Sequence, residues 1–143
     1  MSKSIQYCTF FLGQFFFGVE VRRVQEVIRY QRMTRVPLAS AVIRGLINLR
    51  GQIVTALDLR ERLGLPPRAD GKLPMNVIVR TDDGAVSLLV DEIGEVIDMD
   101  EASFERPPET LRGPAREIIQ TVCKLEGRLL LLLDTEKAIT PGK

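Results

Sequence analysis

Four aspartates and one arginine invite a chemical reading. Asp58, Asp91, Asp98 and Asp134 could supply a pair of carboxylates, the arrangement that performs general acid and base work on glycosidic bonds. Yet Asp58, Asp91 and Asp134 each close an apolar run ("VTALD", "LLVD", "LLLLD") where the next turn begins. Aspartate placed there ends strands and caps turns, because its side chain accepts bonds from nearby backbone N–H groups. Capping is the stronger reading. The sequence holds no histidine, which removes the commonest general base and the commonest metal ligand. A nucleophile beside a histidine base is therefore impossible. Cys8 and Cys123 lie far apart in apolar, strand-like stretches and read as buried free thiols in a reducing compartment. Phosphate-binding glycine loops, dinucleotide fingerprints and EF-hand loops are all missing from the sequence. The expectation is a protein with no catalytic residue, no metal and no cofactor.

Arg50 is the harder case. It stands in "GLINLRGQIVTALDLRERLG" (Gly45 to Gly64), between the apolar pairs Leu46-Ile47 and Ile53-Val54. A charge between two segments that want burial is costly. Four roles are open to it: a catalytic group, a nucleic-acid contact, a plain turn residue, or part of a surface that another protein reads. Lys plus Arg total 20 against 19 for Asp plus Glu, a net charge of +1 that argues against a general phosphate binder. Arg22, Arg23, Arg29, Arg32 and Arg35 do cluster, but they alternate with apolar residues in the manner of a solvated face. Aromatics make up 6% and gather at Phe10, Phe11 and Phe15 to Phe17, away from those arginines. A small nucleic-acid-binding β-barrel would interleave the two types. It stays as the alternative function, and its mark would be binding that weakens steeply with salt.

The elements that must position these residues are short strands. "IQYCTFFL" alternates, turns at Gly13-Gln14, and continues as "FFFGVEV", where Phe15, Phe17, Val19 and Val21 share a face. "VQEVIRY" reads as a turn plus strand, and "RVPLAS" as a loop broken by Pro37. "AVIRG" is expected to form one helical turn behind Ser40, a suitable N-cap. "LINL" and "QIVTALDL" form a hairpin around Arg50-Gly51, followed by a short helix from Asp58 to Gly64. Leu65 to Pro74 is a linker rich in proline, glycine and charge. Two further hairpins follow, one around Asp82-Asp83-Gly84 and one around Glu126-Gly127-Arg128, with a polar loop between them and a helical turn at "TEKAI". Turn signals every eight to twelve residues indicate barrels or sandwiches, and two small packed β-barrels suit 143 residues best. The N-terminus lacks a signal-peptide core and no run reaches membrane-span length, so a cytoplasmic protein is expected.

Four stretches, "FFFGVEVRRVQEVI", "RVPLASAVIRGLINLRGQIVTALDLRERLGL", "VSLLVDEIGEVI" and "IIQTVCKLEGRLLLLLDTEKAI", resemble the CheW family of chemotaxis adaptors, in the family's order and over most of residues 5–140. Gly45, Asn48, Leu49, Arg50, Gly51, Asp58 and Leu59 fall where the family expects them; "VDEIGEV" is a second, weaker signature. The resemblance implies an all-β fold of two packed SH3-like five-stranded barrels with short helical turns. It implies a single domain over residues 1–143, with sub-barrels near 13–70 and 71–143 and strand 4–12 crossing to the second.

The function implied is that of a stand-alone, non-enzymatic cytoplasmic scaffold associated with membrane receptor arrays. It would couple chemoreceptor cytoplasmic tips to the regulatory domain of a CheA-type histidine kinase, with no membrane insertion and no nucleic acid. Carried over by motif, the receptor-binding groove takes Val24, Val27, Val90, Ile93 and Val96, with Glu26 and Arg50 as a polar pair beside it. Glu26 is expected to hold the Arg50 guanidinium in fork geometry. Candidates for the kinase contact are the loop at Val36, Pro37 and Leu38 and the turn near Leu46. Two departures stand out. Phe15 and Phe16 occupy a turn that is usually polar, with Phe16 expected to point outward, and Thr121 stands where a glycine is common.

Overall fold

A computed structural model of the chain describes residues 3–69, 71–109, 111 and 113–139. In chain order its elements are β1 (Ser4–Leu12), β2 (Phe15–Glu20), β3 (Val24–Ile28), β4 (Ile43–Leu49), β5 (Gln52–Asp58) and α1 (Leu59–Leu63). Then come β6 (Met75–Thr81), β7 (Gly84–Val90), β8 (Glu92–Asp100), β9 (Phe104–Glu105), α2 (Pro114–Ile118), β10 (Ile119–Leu125), β11 (Arg128–Leu133) and α3 (Thr135–Ile139). The fold is the all-β pair of packed SH3-like barrels, one on each of two sheets. One sheet has the order β8-β1-β2-β11-β10-β9, the other β3-β6-β7-β5-β4. The two-residue β9 gives the first sheet a sixth strand.

Both sheets are built the same way. In the larger, hairpins β1–β2 and β10–β11 are joined by a parallel pairing of β2 with β11. In the smaller, hairpins β6–β7 and β4–β5 are joined by a parallel pairing of β5 with β7. An antiparallel strand is then added at one edge, β8 on β1 and β3 on β6. This equivalence corrects the expected division near residue 70. β6 and β7 lie beyond that point yet pair with β3 and β5, while β2 lies before it yet pairs with β11. Strand pairing, not position along the chain, sets the halves. β1 lies in the larger sheet between β8 and β2.

The main core lies between the sheets. Phe10, Leu12, Phe17 and Val19 from one side meet Leu57, Val77, Val79, Leu88 and Val90 from the other, closed by Leu59 and Leu63 of α1 and Ile118 of α2. Each sheet also buries its opposite face, on Tyr7, Phe16, Cys123, Leu130 and Leu132 in one case and Ile47, Leu49, Val54 and Ile78 in the other. Alternate residues therefore serve two cores, which is why "LLLLL" is apolar at every position. It also corrects the outward placement of Phe16. That ring is buried in the second cluster, 4.9 Å from Phe11, with the Arg128 guanidinium 4.8 Å above it. Phe15, at the turn, is the exposed one.

Local expectations hold at α1, where Asp58 accepts from the Arg60 N–H at 3.1 Å and Gly64 ends the helix at φ 75°. After Ser40 the chain makes a hydrogen-bonded turn (Ile43 N to Ser40 O, 3.0 Å) instead of a helix, because β4 is already pairing with β5 at Ile43. The polar loop before β10 contains α2, which starts on Pro114, a proline suited to a first helical turn. Around Thr121 the β10 strand continues, with its register shifted between Ile119 and Thr121.

Candidate functional site

The edge strands β3 and β8 carry most of the expected groove. On β3 the pairing partners are Val24 with Val79, Glu26 with Ile78, and Val27 with Val77, with a register shift between Val24 and Glu26. Directly paired residues share a face. Val79 and Val77 belong to the shared core and Ile78 to the smaller cluster behind the sheet. The irregularity thus rephases the strand: Val24 and Val27 both look toward the shared core, while Glu26 looks the other way. β8 repeats the device. Ile93 pairs with Phe10 and Val96 with Cys8, both on the shared-core side, with a register shift between Cys8 and Phe10. Val24, Val27, Ile93 and Val96 thus give the two edge strands an aliphatic rim on their core-side faces, with Val24 and Ile93 packed against the shared core. Val27 is 36% and Val96 56% exposed. Val90 departs from the expectation. β7 is flanked on both sides by β6 and β5, and Val90 is fully buried core.

Glu26 and Arg50 are brought together as expected, the guanidinium donating to the Glu26 carboxylate. The contact joins one nitrogen to one oxygen, not the paired fork, and Arg50 stays largely exposed. The hydrogen bond from Arg50 holds the Glu26 carboxyl below its usual range. Because Glu26 faces away from Val24 and Val27, the polar pair and the aliphatic rim sit on opposite sides of β3.

The backbone under Arg50 is the telling feature. Leu49 pairs with Gln52, so the hairpin loop is Arg50-Gly51 alone, with φ 52° and 87°. Two positive φ values make a type I′ turn, whose first position suits asparagine, aspartate or glycine. A left-handed arginine costs about 1 kcal/mol or more. The described non-glycine residues with positive φ are Arg50 and Leu38. Both belong to the expected contact surfaces, and departures from local preference gather where function compensates for them.

Leu38, at φ 64°, is fully solvent-exposed (106%), and Val36 and Pro37 beside it are exposed as well. These three line an open cleft of about 930 Å³ together with Arg44, Asp58 and Glu61. Leu46 lies within β4 rather than in a turn, and is half-buried. Its backbone exchanges two 2.8 Å bonds with Thr34. Ile53 was not anticipated. It is 62% exposed and pairs with Asn48 beside the Arg50 turn. Its only signal was being one position out of phase with buried Val54.

Asp91 is a junction, more than the strand terminator its sequence position suggested. Its carboxylate accepts from the Gly13 N–H at 2.6 Å, from Arg60 Nε at 3.0 Å and Nη2 at 2.5 Å, and from Arg68 Nε at 2.8 Å. Burial works to raise its pKa, but the bonds from Arg60, Gly13 and Arg68 outweigh it and bring the carboxyl to about 2. The clamp ties the β1–β2 turn, α1 and the linker to the point where the chain passes from β7 into β8. Asp134 caps α3 through the Lys137 N–H at 3.2 Å, and buried Asp58 also pairs with Arg44.

Comparison with known proteins is consistent across sequence and fold. The family model described as CheW-like domain matches residues 6–141. The chain is 32% identical to the chemotaxis protein CheW of Bacillus subtilis over 123 residues, covering 86% of this chain and 79% of that protein. It is 28% identical to the chemotaxis protein CheW of Treponema pallidum over 139 residues, covering 94% and 82%. Among solved structures it matches the scaffolding protein TtCheW from Thermoanaerobacter tengcongensis with a TM-score of 0.82 at 28% identity, covering 92% of this chain and 90% of that one.

Proposed function

The chain belongs to the family of CheW-like domains, and from that premise we propose that it works as one domain coupling chemoreceptor cytoplasmic tips to the regulatory domain of a CheA-type histidine kinase. Its role is that of a chemotaxis adaptor and scaffold. The observation that carries the receptor half is the rim of Val24, Val27, Ile93 and Val96, aliphatic side chains on the core-side faces of equivalent edge strands. Such a rim suits the apolar face of a helix, which needs aliphatic contact and makes few polar demands. Arg50, held by Glu26 on the far side of β3, adds a directional charge that fixes how a partner sits. The kinase half is assigned to the exposed loop of Val36, Pro37 and Leu38, with Leu46 on the strand behind it.

In this reading the protein is non-enzymatic and acts by presenting surfaces. Modest contacts combine in an array because tethering raises effective concentration. No described helix is long and apolar enough to cross a membrane. We place the protein in the cytoplasm, at receptor arrays, without insertion into the bilayer. Purified receptor-tip fragments and the kinase regulatory domain, each offered to the full chain in a pull-down, test the proposal. Capture of both supports it, and capture of neither removes it.

A further inference from the structure

We infer that Asn48 is a positioning residue for Arg50: its side-chain oxygen locks the two-residue turn that holds Arg50 left-handed and so aims the guanidinium at Glu26. This rests on the reading of Glu26 and Arg50 as a partner contact. The Asn48 side chain is exposed and belongs to none of the three apolar clusters. What it does is accept the Gly51 N–H at 2.8 Å. That bond spans Leu49 and Arg50, tying the residue two before the loop to the turn's second central position.

Gly51 adopts φ 87° without steric penalty, but Arg50 at φ 52° does not. Rotation of Arg50 back to the right-handed region would swing the Gly51 amide away from Asn48, so the bond opposes the relaxation arginine would otherwise undergo. The other end of the contact is fixed independently, since Glu26 is set by the β3 register opposite Ile78. The two ends meet only while the turn keeps its shape. Aspartate carries an acceptor at the same reach, whereas alanine has none.

The test compares the parent protein with Asn48→Ala, Asn48→Asp, Arg50→Ala and the double variant Asn48→Ala/Arg50→Ala. Two readouts are used: the Glu26 carboxyl titration by NMR in the free protein, and affinity for a purified receptor-tip fragment. Glu26 titrates low because of Arg50. Its midpoint is expected to rise in Asn48→Ala, toward its position in Arg50→Ala. Affinity should fall about fivefold in Asn48→Ala, the worth of one hydrogen bond. The double variant should bind no more weakly than Arg50→Ala alone, because Asn48 acts through Arg50. Asn48→Asp should bind within about twofold of the parent, which covers the case of an alanine variant that folds poorly. An unmoved Glu26 midpoint in Asn48→Ala, an additive double variant, or an aspartate variant as weak as alanine each overturns the inference. Parent-like binding by Arg50→Ala would instead remove the partner reading, while the Glu26 titration would still decide the role of Asn48.

Discussion

Arg50→Asn turns the β4–β5 loop into Asn-Gly, the pair a type I′ turn favours most. Asparagine tolerates the left-handed φ of 52° that arginine adopts at a penalty, so the substitution relieves about 1 kcal/mol of backbone strain. The Glu26 ion pair is lost, but both charges lie at the surface and offset only part of that gain. Removing arginine opens no void, since its side chain is 68% exposed. The expected sign is therefore stabilising, a rise in Tm of about 1–3 °C for a chain this size. Coupling should move the other way, with affinity for receptor tips down about tenfold or more. The assay pairs a thermal or urea melt with a binding titration on the same sample. A variant that melts below the parent would refute the claim that arginine strains this turn. One that binds like the parent would refute the claim that arginine is there for a partner.

Four further outcomes follow from the same geometry. Asp91 has a folded pKa of about 2 against an ordinary value of 3.8, so its stabilisation is fully present above about pH 4 and is lost as pH falls toward 2. It amounts to on the order of 2 kcal/mol, and urea midpoints measured between pH 5 and 2.5 should fall less steeply in Asp91→Asn than in the parent. Gly45→Ala would place a Cβ 2.7 Å from the Thr34 carbonyl oxygen and 3.0 Å from Met33 Cβ, which a melt should register as a loss of about 1–3 kcal/mol. Leu38→Gly should leave stability unchanged or raised, because glycine suits φ 64°, while weakening binding to the kinase regulatory domain about tenfold. Val96→Asp, at a side chain already 56% exposed, should change stability by less than about 0.5 kcal/mol yet abolish capture of receptor tips in a pull-down.

Strands and turns were legible because they are local. The hairpins around Arg50-Gly51, Asp82-Asp83 and Glu126-Gly127 follow from turn residues between apolar runs, and α1 follows from Asp58 and Gly64. Which strands share a sheet is a long-range matter. The parallel pairings of β2 with β11 and β5 with β7 leave no mark in either strand, so the division near residue 70 followed the linker instead of the sheets. Burial on both faces misled in a second way. Phe16 stands in an apolar run where alternation cannot separate an outward position from a second core, and Val90, placed in the groove by motif alone, lies on a central strand; both are buried. The Glu26–Arg50 contact came from the family motif, and no spacing rule would have joined residues 24 positions apart. The left-handed backbone under Arg50 and Leu38 had no signal in residue type, since neither arginine nor leucine marks a positive φ.

The central claim is that receptor tips dock on the aliphatic rim of two equivalent edge strands. Amide chemical-shift mapping of the full chain, titrated with a purified receptor-tip fragment, tests it most directly. The largest shifts should fall on Val24, Val27, Ile93 and Val96, with a separate response at Arg50 on the other side of β3. Shifts confined to the Val36–Leu38 loop, or scattered with no response on β3 and β8, would contradict it.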